Sequence, residues 1–429
     1  AKKAGGAVQV VDFNDGITFA GCDFIFNAAE YGGGVYVSKD TDNFVVLDTE
    51  GSNNRLVVET SHPYTAGSPT EENPYYIIMN QTVIVSNASE LILLFDRRTA
   101  FGNTEVLTIY DSESRTVELY RFIQSFPENT PGIDIPSIRI SGTSFYMEFV
   151  TSYAMSASGV SASTSGYGIR MYVYPVFSTY AKPSNFFGNF ARKDGGAVEL
   201  KSNIAFPLFI NTIVSHNTAI RDGGGLYFRS NVPGTSIQQV TFIENESGLG
   251  GGALMLQSAH EGYIIKDCAF VRNEGVLGGA ISMSSLNGIE DGVFVADPHI
   301  VIVGCVFSYN TAELGGAVYF GKQNSVVIDD CYFHLNIALA GGGGGVMAES
   351  LNTVLVYGSG FVENKADECG GALFGSNTNT IYLNAINMSN NVAIRDGGAI
   401  CLKGESDVTF DGTSIIRSNM AGRGGGALA

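Results

Sequence analysis

A short signature recurs along the chain: an apolar residue, two variable residues, an asparagine, then a Gly-Gly-small-apolar run. It stands as Phe242 to Asn245 before Gly251-Gly252-Ala253-Leu254, as Phe270 to Asn273 before Gly278-Gly279-Ala280-Ile281, and as Phe361 to Asn364 before Gly370-Gly371-Ala372-Leu373. From Asn189 to Asn419 the asparagines are 28, 28, 28, 37, 26, 28, 27 and 28 residues apart, and Asn27 belongs to a further copy near the start. A period of this length without helical patterning restricts the chain to stacked repeats, each a supersecondary unit that buries its apolar face only against its neighbours.

Each repeat holds short apolar stretches of period two, such as 326–328, 331–333 and 345–347. Three short strands joined by bends would make one turn of a parallel β-solenoid, with successive turns about 4.8 Å apart. The asparagine marks one bend, where its side chain can bond a neighbouring coil. The Gly-Gly pair marks another, which needs φ > 0 or close backbone approach. After the glycines, Val198 and Leu200, Leu226 and Phe228, and Ile281 and Met283 alternate with Glu199, Tyr227 and Ser282. The apolar pairs are expected inward and the variable residues outward, so that Leu254→Asp disrupts the stack and Glu199→Lys is tolerated. The 37-residue step is expected to place Ser284–Pro298 in a loop on one face.

Composition agrees. Glycine is 54 of 429 residues and proline only 11, which excludes collagen and Pro-rich stalks. No apolar run is long enough for a transmembrane helix. A net charge of -18 argues against nucleic acid and anionic lipid as partners.

The Gly-Gly-Ala-Ile/Val/Leu and Phe-x-x-Asn elements resemble the polymorphic outer-membrane-protein repeat of bacterial surface adhesins and large protist surface proteins. The resemblance covers residues 1–38 and 180–429. It implies the right-handed β-helix fold also used by pectate lyases.

Asn27 and Asn189 are 162 residues apart, so roughly 135 residues are inserted. The insert, read as 39–179, lacks the Gly-Gly signature and shows alternating stretches at 91–95, 106–110, 137–140, 145–149 and 169–174, the pattern of an antiparallel β-sandwich. Its motifs, Glu59 to Tyr64, Leu91 to Phe95, Glu105 to Asp111, Ser141-Gly142-Thr143 and Gly166 to Ile169, resemble a CUB domain over about residues 56–177. The resemblance implies a binding module. It has no cysteine where family members carry disulfides. Of the three acidic calcium positions, Glu105 matches, Asp96 lies near a second and Ser152 falls at the third, so a calcium site would be incomplete.

Cys22, Cys268, Cys305 and Cys331 occupy one repeat position, two residues before the Phe, and are expected inward. Side chains running parallel fit disulfides badly, so buried free thiols are the reading, with a disulfide elsewhere left open. No His recurs beside them and no CxxC is present, so no metal site or cofactor is expected.

Arg221-Asp222-Gly223, Arg395-Asp396-Gly397 and Lys193-Asp194-Gly195 could be acid–base pairs in a polysaccharide groove, or turn aspartates before glycine with a solvated basic neighbour. Their recurrence with the repeat favours the turn. Asp329-Asp330 resembles the paired acids of glycoside hydrolases, yet no basic cluster accompanies it. His62, His216, His260, His299 and His334 fall at different repeat phases. No catalytic residue is assigned.

Sequons stand at Asn80, Asn87, Asn245 and Asn387. Asn245 is a ladder asparagine, which leaves Asn80, Asn87 and Asn387 as glycan candidates. The expectation is a non-enzymatic, extracellular structural or adhesive protein of the cell surface, part of a fibre, coat or flagellar hair, with a polysaccharide lyase or glycoside hydrolase as the alternative. Residues 1–8 read as half a repeat, and Gly424 to Ala429 stops inside a strand. Neighbouring copies or subunits stacked end to end are therefore the expected partners, with surface glycans or proteins contacting the insert.

Overall fold

A computed structural model describes residues 4–11, 17–38, 44–47, 56–59, 75–85, 88–95, 105–122, 138–152, 169–177, 183–202, 204, 207–230, 232, 234–257, 262–284 and 300–429. Among the described residues the elements are all strands. The chain divides into two compact units, Ala1–Asp48 with Pro183–Ala429, and Thr49–Lys182.

The first unit is a right-handed parallel β-helix of about 28 residues per coil. Four sheets of ten strands each run along it. One coil shows the order. Val198–Ser202 lies in sheet I, Leu208–Ile210 in sheet II, Thr212–Ser215 in sheet III and Thr218–Ala219 in sheet IV. The coil therefore has four strands rather than the three expected. The fourth is the dipeptide after the asparagine, whose second residue is a buried Ala in most coils, such as Ala219, Ala312 and Ala366. The extended loop expected at 284–298 lies almost wholly outside the described residues, between strands Ile281–Met283 and Ile300–Val303.

Equivalent residues stack in register, as in Val198↔Leu226, Leu226↔Leu254 and Leu254↔Ile281. Inside, Phe242, Phe270, Phe307, Phe333 and Phe361 form a column of parallel rings 4.6–4.8 Å apart. Each ring removes about 2 kcal/mol worth of apolar surface from water, and stacking adds about 1 kcal/mol.

The asparagine ladder fastens the coils. Asn336 Nδ2 donates to Asn364 Oδ1 at 2.9 Å and to the Phe307 carbonyl at 2.9 Å, and the Asn336 N–H donates to the same Asn364 oxygen at 3.1 Å. The Asn-to-Asn contacts repeat at nine consecutive junctions from Asn27 to Asn419. The preceding residue takes a left-handed conformation, as in His216, Glu244, Arg272 and Tyr309. That turn aims the amide along the axis. A second, shorter ladder, Asn324, Asn352 and Asn379, ends on Ser406 at another bend.

At the Gly-Gly bend the two glycines serve different ends. Gly195 has φ +67°, while a Cβ on Gly196 would lie 1.9 Å from the Gly224 carbonyl oxygen of the next coil.

The insertion point lies within a coil, at a bend. Phe44–Leu47 pairs in parallel with Ile17–Ala20 on one side and Leu208–Ile210 on the other. Ser184–Phe187 pairs with Thr212–Ser215. Leu47 and Ser184 thus stand where Ile210 and Thr212 stand one coil later, and the insert takes the place of Asn211. The composition change at residue 39 comes before Phe44, which is solenoid core.

The second unit holds two four-stranded antiparallel sheets. One joins Glu118–Phe122, Glu105–Tyr110, Ser144–Ser152 and Tyr75–Ile84; the other joins Ile138–Ser141, Ala88–Phe95, Arg170–Phe177 and Leu56–Glu59. Val83, Leu107, Ile109, Phe145, Met147 and Phe149 of the first sheet pack with Leu91, Leu93, Ile140, Met171 and Val173 of the second. Alternate residues face inward along each strand, as sandwich packing requires.

Candidate functional site

The outer face of sheet I departs from the sequence reading. Tyr36, Glu199, Tyr227, Met255, Ser282, Tyr319, Met347, Phe374 and Cys401 point away from the central core, yet all are buried. The Gly-Gly bend folds back over them. A Cβ on Gly195 would lie 2.8 Å from Glu199 Cβ, and one on Gly397 2.9 Å from Cys401 Cβ. The expectation that Glu199 is solvated and tolerant is therefore corrected: this row is the floor of a second, outer seam.

The seam changes chemistry along the solenoid. Tyr319, Met347, Cys369, Phe374 and Cys401 form an apolar cluster, with Leu277 and Leu314 against it. Cys369, just before the glycines of one coil, is disulfide-bonded to Cys401 on the strand of the next, their Cα atoms 5.6 Å apart. At the other end stand Asp194, Glu199, Asp222 and Tyr227. Glu199 is wholly buried, and neither carboxylate oxygen has a hydrogen-bond partner among the described residues. Burial, reinforced by Asp194, pushes its carboxyl up to about 8. Burial likewise raises Asp194 and Asp222. Tyr227 is raised by burial and donates to Gln257.

The recurrent basic-Asp-Gly-Gly element proves to be an intercoil device. Arg221 Nε approaches Asp194 Oδ1 of the preceding coil at 3.4 Å, and Arg423 Nη2 approaches Asp396 Oδ2 at 3.3 Å. Asp222 Oδ1 accepts the Gly250 N–H of the next coil at 3.1 Å. Lys193 pairs with Glu30 at 2.6 Å and bonds the Tyr31 hydroxyl, and Glu30 followed by Tyr31 pushes it up to about 12. Each acid is turned toward a neighbouring coil rather than toward a groove.

Cys268, Cys305 and Cys331 are buried free thiols, and Cys22 is half-buried. Two of them also accept hydrogen bonds: the Cys268 N–H points to Cys305 Sγ at 3.4 Å and the Cys305 N–H to Cys331 Sγ at 3.5 Å, while the Cys331 N–H donates in turn to Ser359 Oγ at 3.0 Å. Ser184, Thr212, Ser359 and Ser414 stand at the same position in other coils, and Val240 and Ile386 in two more. Burial holds the Cys305 thiol well above its ordinary value. Among the described residues no three His, Cys, Asp or Glu side chains converge as metal ligands.

Asp329 ends strand Ser325–Asp329, and Asp330 makes the following left-handed bend. His216 Nδ1 lies 3.1 Å from Glu244, and His334 Nε2 lies 3.8 Å from Glu363. His62, His260 and His299 lie outside the described residues. Tyr332 on the outer face of sheet III and Tyr309 in the bend after strand Val306–Ser308 are exposed. The Tyr332 ring stacks on His334 at 5.7 Å, Tyr309 meets His334 edge-on at 5.9 Å, and the Arg272 guanidinium covers the Tyr309 ring at 5.9 Å.

In the sandwich, a cleft of about 310 Å³ is lined by Asp111, Leu119, Tyr120, Ile140, Ser141 and Ser144. Asp111 accepts from the Ser112 hydroxyl at 3.0 Å and the Val117 N–H at 3.3 Å. Asn80 is exposed on strand Tyr75–Ile84. Asn387 is half-buried, its Oδ1 without a hydrogen-bond partner among the described residues. Asn87 and Asp96 lie outside the described residues, as do the side chains of Glu105 and Ser152. Asn245 is buried with both amide hydrogens in use.

The chain matches no family model. Over 89 residues it is 27% identical to metabotropic glutamate receptor-like protein R of Dictyostelium discoideum, a match that covers 21% of this chain and 6% of that protein. The chain thus spans a small fraction of its curated relative. Among solved structures it is similar to the catalytic unit of a thermostable GH87 α-1,3-glucanase from Streptomyces thermodiastaticus, at 10% identity and a TM-score of 0.17, over 87% of this chain and 92% of that one.

Proposed function

We propose that the chain is part of an extracellular structural or adhesive protein of the cell surface. The solenoid serves as a spacer built of polymorphic outer-membrane-protein-like repeats, and the CUB-like sandwich as a contact module. The observation that carries this reading is the asparagine ladder. Identical side chains interlock coil to coil at nine junctions, so the chemistry repeated along the axis is cohesion between coils. The recurrent acids likewise serve neighbouring coils. The Cys369–Cys401 disulfide supports an oxidising compartment, and the short match to a receptor-like protein supports a surface setting. The exposed Tyr309 and Tyr332 with the half-buried His334 between them, and the sandwich cleft, are the contact surfaces we favour.

The test is incubation of the whole protein with acidic and neutral polysaccharides, α-1,3-glucan included, followed by assays for reducing ends and unsaturated products. No release is expected. Release that disappears in the Asp329→Asn/Asp330→Asn double variant would replace this reading with a glycoside hydrolase or lyase.

A further inference from the structure

Most positions along the outer seam carry a group that is buried at low cost: a phenol, a thioether, a serine, a phenyl ring, a disulfide. Glu199 breaks the row. It is fully buried with neither oxygen hydrogen-bonded among the described residues, and Asp194 beside it is 1% exposed, its Oδ1 facing Arg221 Nε at 3.4 Å without a hydrogen bond among those residues. Two ionised carboxylates in such a place would carry a large desolvation cost, whereas one neutral acid beside one carboxylate would not.

We propose that Glu199 and Asp194 form one proton-binding site inside the outer seam, and that loss of its proton loosens the Gly195 bend that covers it. The surrounding groups fix which acid keeps the proton. Asp194 has Arg221 of the next coil at 3.4 Å and is the ionised member. Asp222 is served by the Gly250 N–H. Glu199 receives opposing influence only at a distance, from Arg229 and Arg221 of the next coil and Lys201 of its own strand. The phenols of Tyr36 and Tyr227 flank it on adjacent strands of sheet I, Glu199 pairing with each. Lys193 is turned to Glu30 and Tyr31. The Arg221 cation against Asp194 suits a proton held on Glu199 and not a metal ion. Because Gly195 rests on the Glu199 Cβ, water reaches an ionised Glu199 only if that bend moves.

The sign follows from the two states. The unfolded chain releases the proton near 4.5, the folded chain near 8. Stability from this site is complete below about 4.5, falls as pH rises through that window, and levels off above about 8. Within the window the folding equilibrium constant falls by up to about tenfold per pH unit.

The experiment compares the full chain with Glu199→Gln and Glu199→Met, methionine being the residue at the equivalent positions 255 and 347, by denaturant unfolding from pH 5 to 9. Infrared spectra at pH 7 are recorded in parallel for a protonated-carboxyl C=O band. The parent should lose stability relative to both variants as pH rises, and should show a band that both variants lack. Parallel pH profiles for parent and variants, or the same infrared spectrum in all three, would overturn the proposal.

Discussion

Asn336 Oδ1 accepts two hydrogen bonds from Asn310, from its backbone N–H at 3.0 Å and from its Nδ2 at 2.9 Å, while Asn336 passes the same pair of bonds on to Asn364. Each amide thus both receives and donates, and no coil can leave the ladder without orphaning buried groups on two neighbours. Asn336→Ala should therefore destabilise the solenoid by about 3 kcal/mol. Asn336→Asp, of equal size but without the two donors, should be at least as harmful at neutral pH. Denaturant titration of the two variants against the parent checks both.

Strand parity gives a sharper contrast. Phe242 is fully buried in the ring column, whereas Ile243, the next residue, is partly exposed on the outer face of sheet III. Phe242→Asp should abolish cooperative unfolding, because a charge enters the core and a large cavity opens. Ile243→Asp should change stability by less than about 1 kcal/mol. Leu254→Asp belongs with the first variant.

Thiol titration checks the cysteine assignment. The native protein should expose at most Cys22 to a thiol reagent. Denaturation without reductant should release four thiols in all, Cys22, Cys268, Cys305 and Cys331, because Cys369 and Cys401 remain joined. Reduction should also lower stability, by about 4 kcal/mol for a loop closed across a separation of 32 residues.

Replacing residues 49–182 with a short Gly/Ser linker should leave a folded solenoid, because Leu47 and Ser184 occupy positions that one residue bridges in the next coil. Replacing 40–178 instead removes Phe44 and Val46, both solenoid core. That deletion should be several kcal/mol less stable than the first, as read by thermal unfolding followed by circular dichroism.

The period, the inward columns and the asparagine ladder were legible in the sequence because every copy faces the same surroundings, so the same residue type recurs at Asn217, Asn245 and Asn273. The fourth strand carried a signal that the reading missed, the Ala two residues after most ladder asparagines. The outer seam was not legible. Glu199, Tyr227 and Ser282 vary as solvated residues do, and only the fold-back of Gly195 and its equivalents buries them. The Cys369–Cys401 bond joins two different repeat positions, which become neighbours only through coil stacking. The short ladder of Asn324, Asn352 and Asn379 spans too few coils to stand out.

The central claim is that the solenoid is a cohesive spacer whose coils are fastened one to the next. Single-molecule stretching of the full chain, pulled from its two ends under reducing conditions, tests it most directly. The account predicts a series of discrete release events, each lengthening the chain by one coil of about 28 residues, or roughly 90 Å of extended backbone, with Asn336→Ala lowering the force of the events in its neighbourhood. Gradual lengthening at low force without discrete events, or a force pattern that Asn336→Ala leaves unchanged, would contradict it.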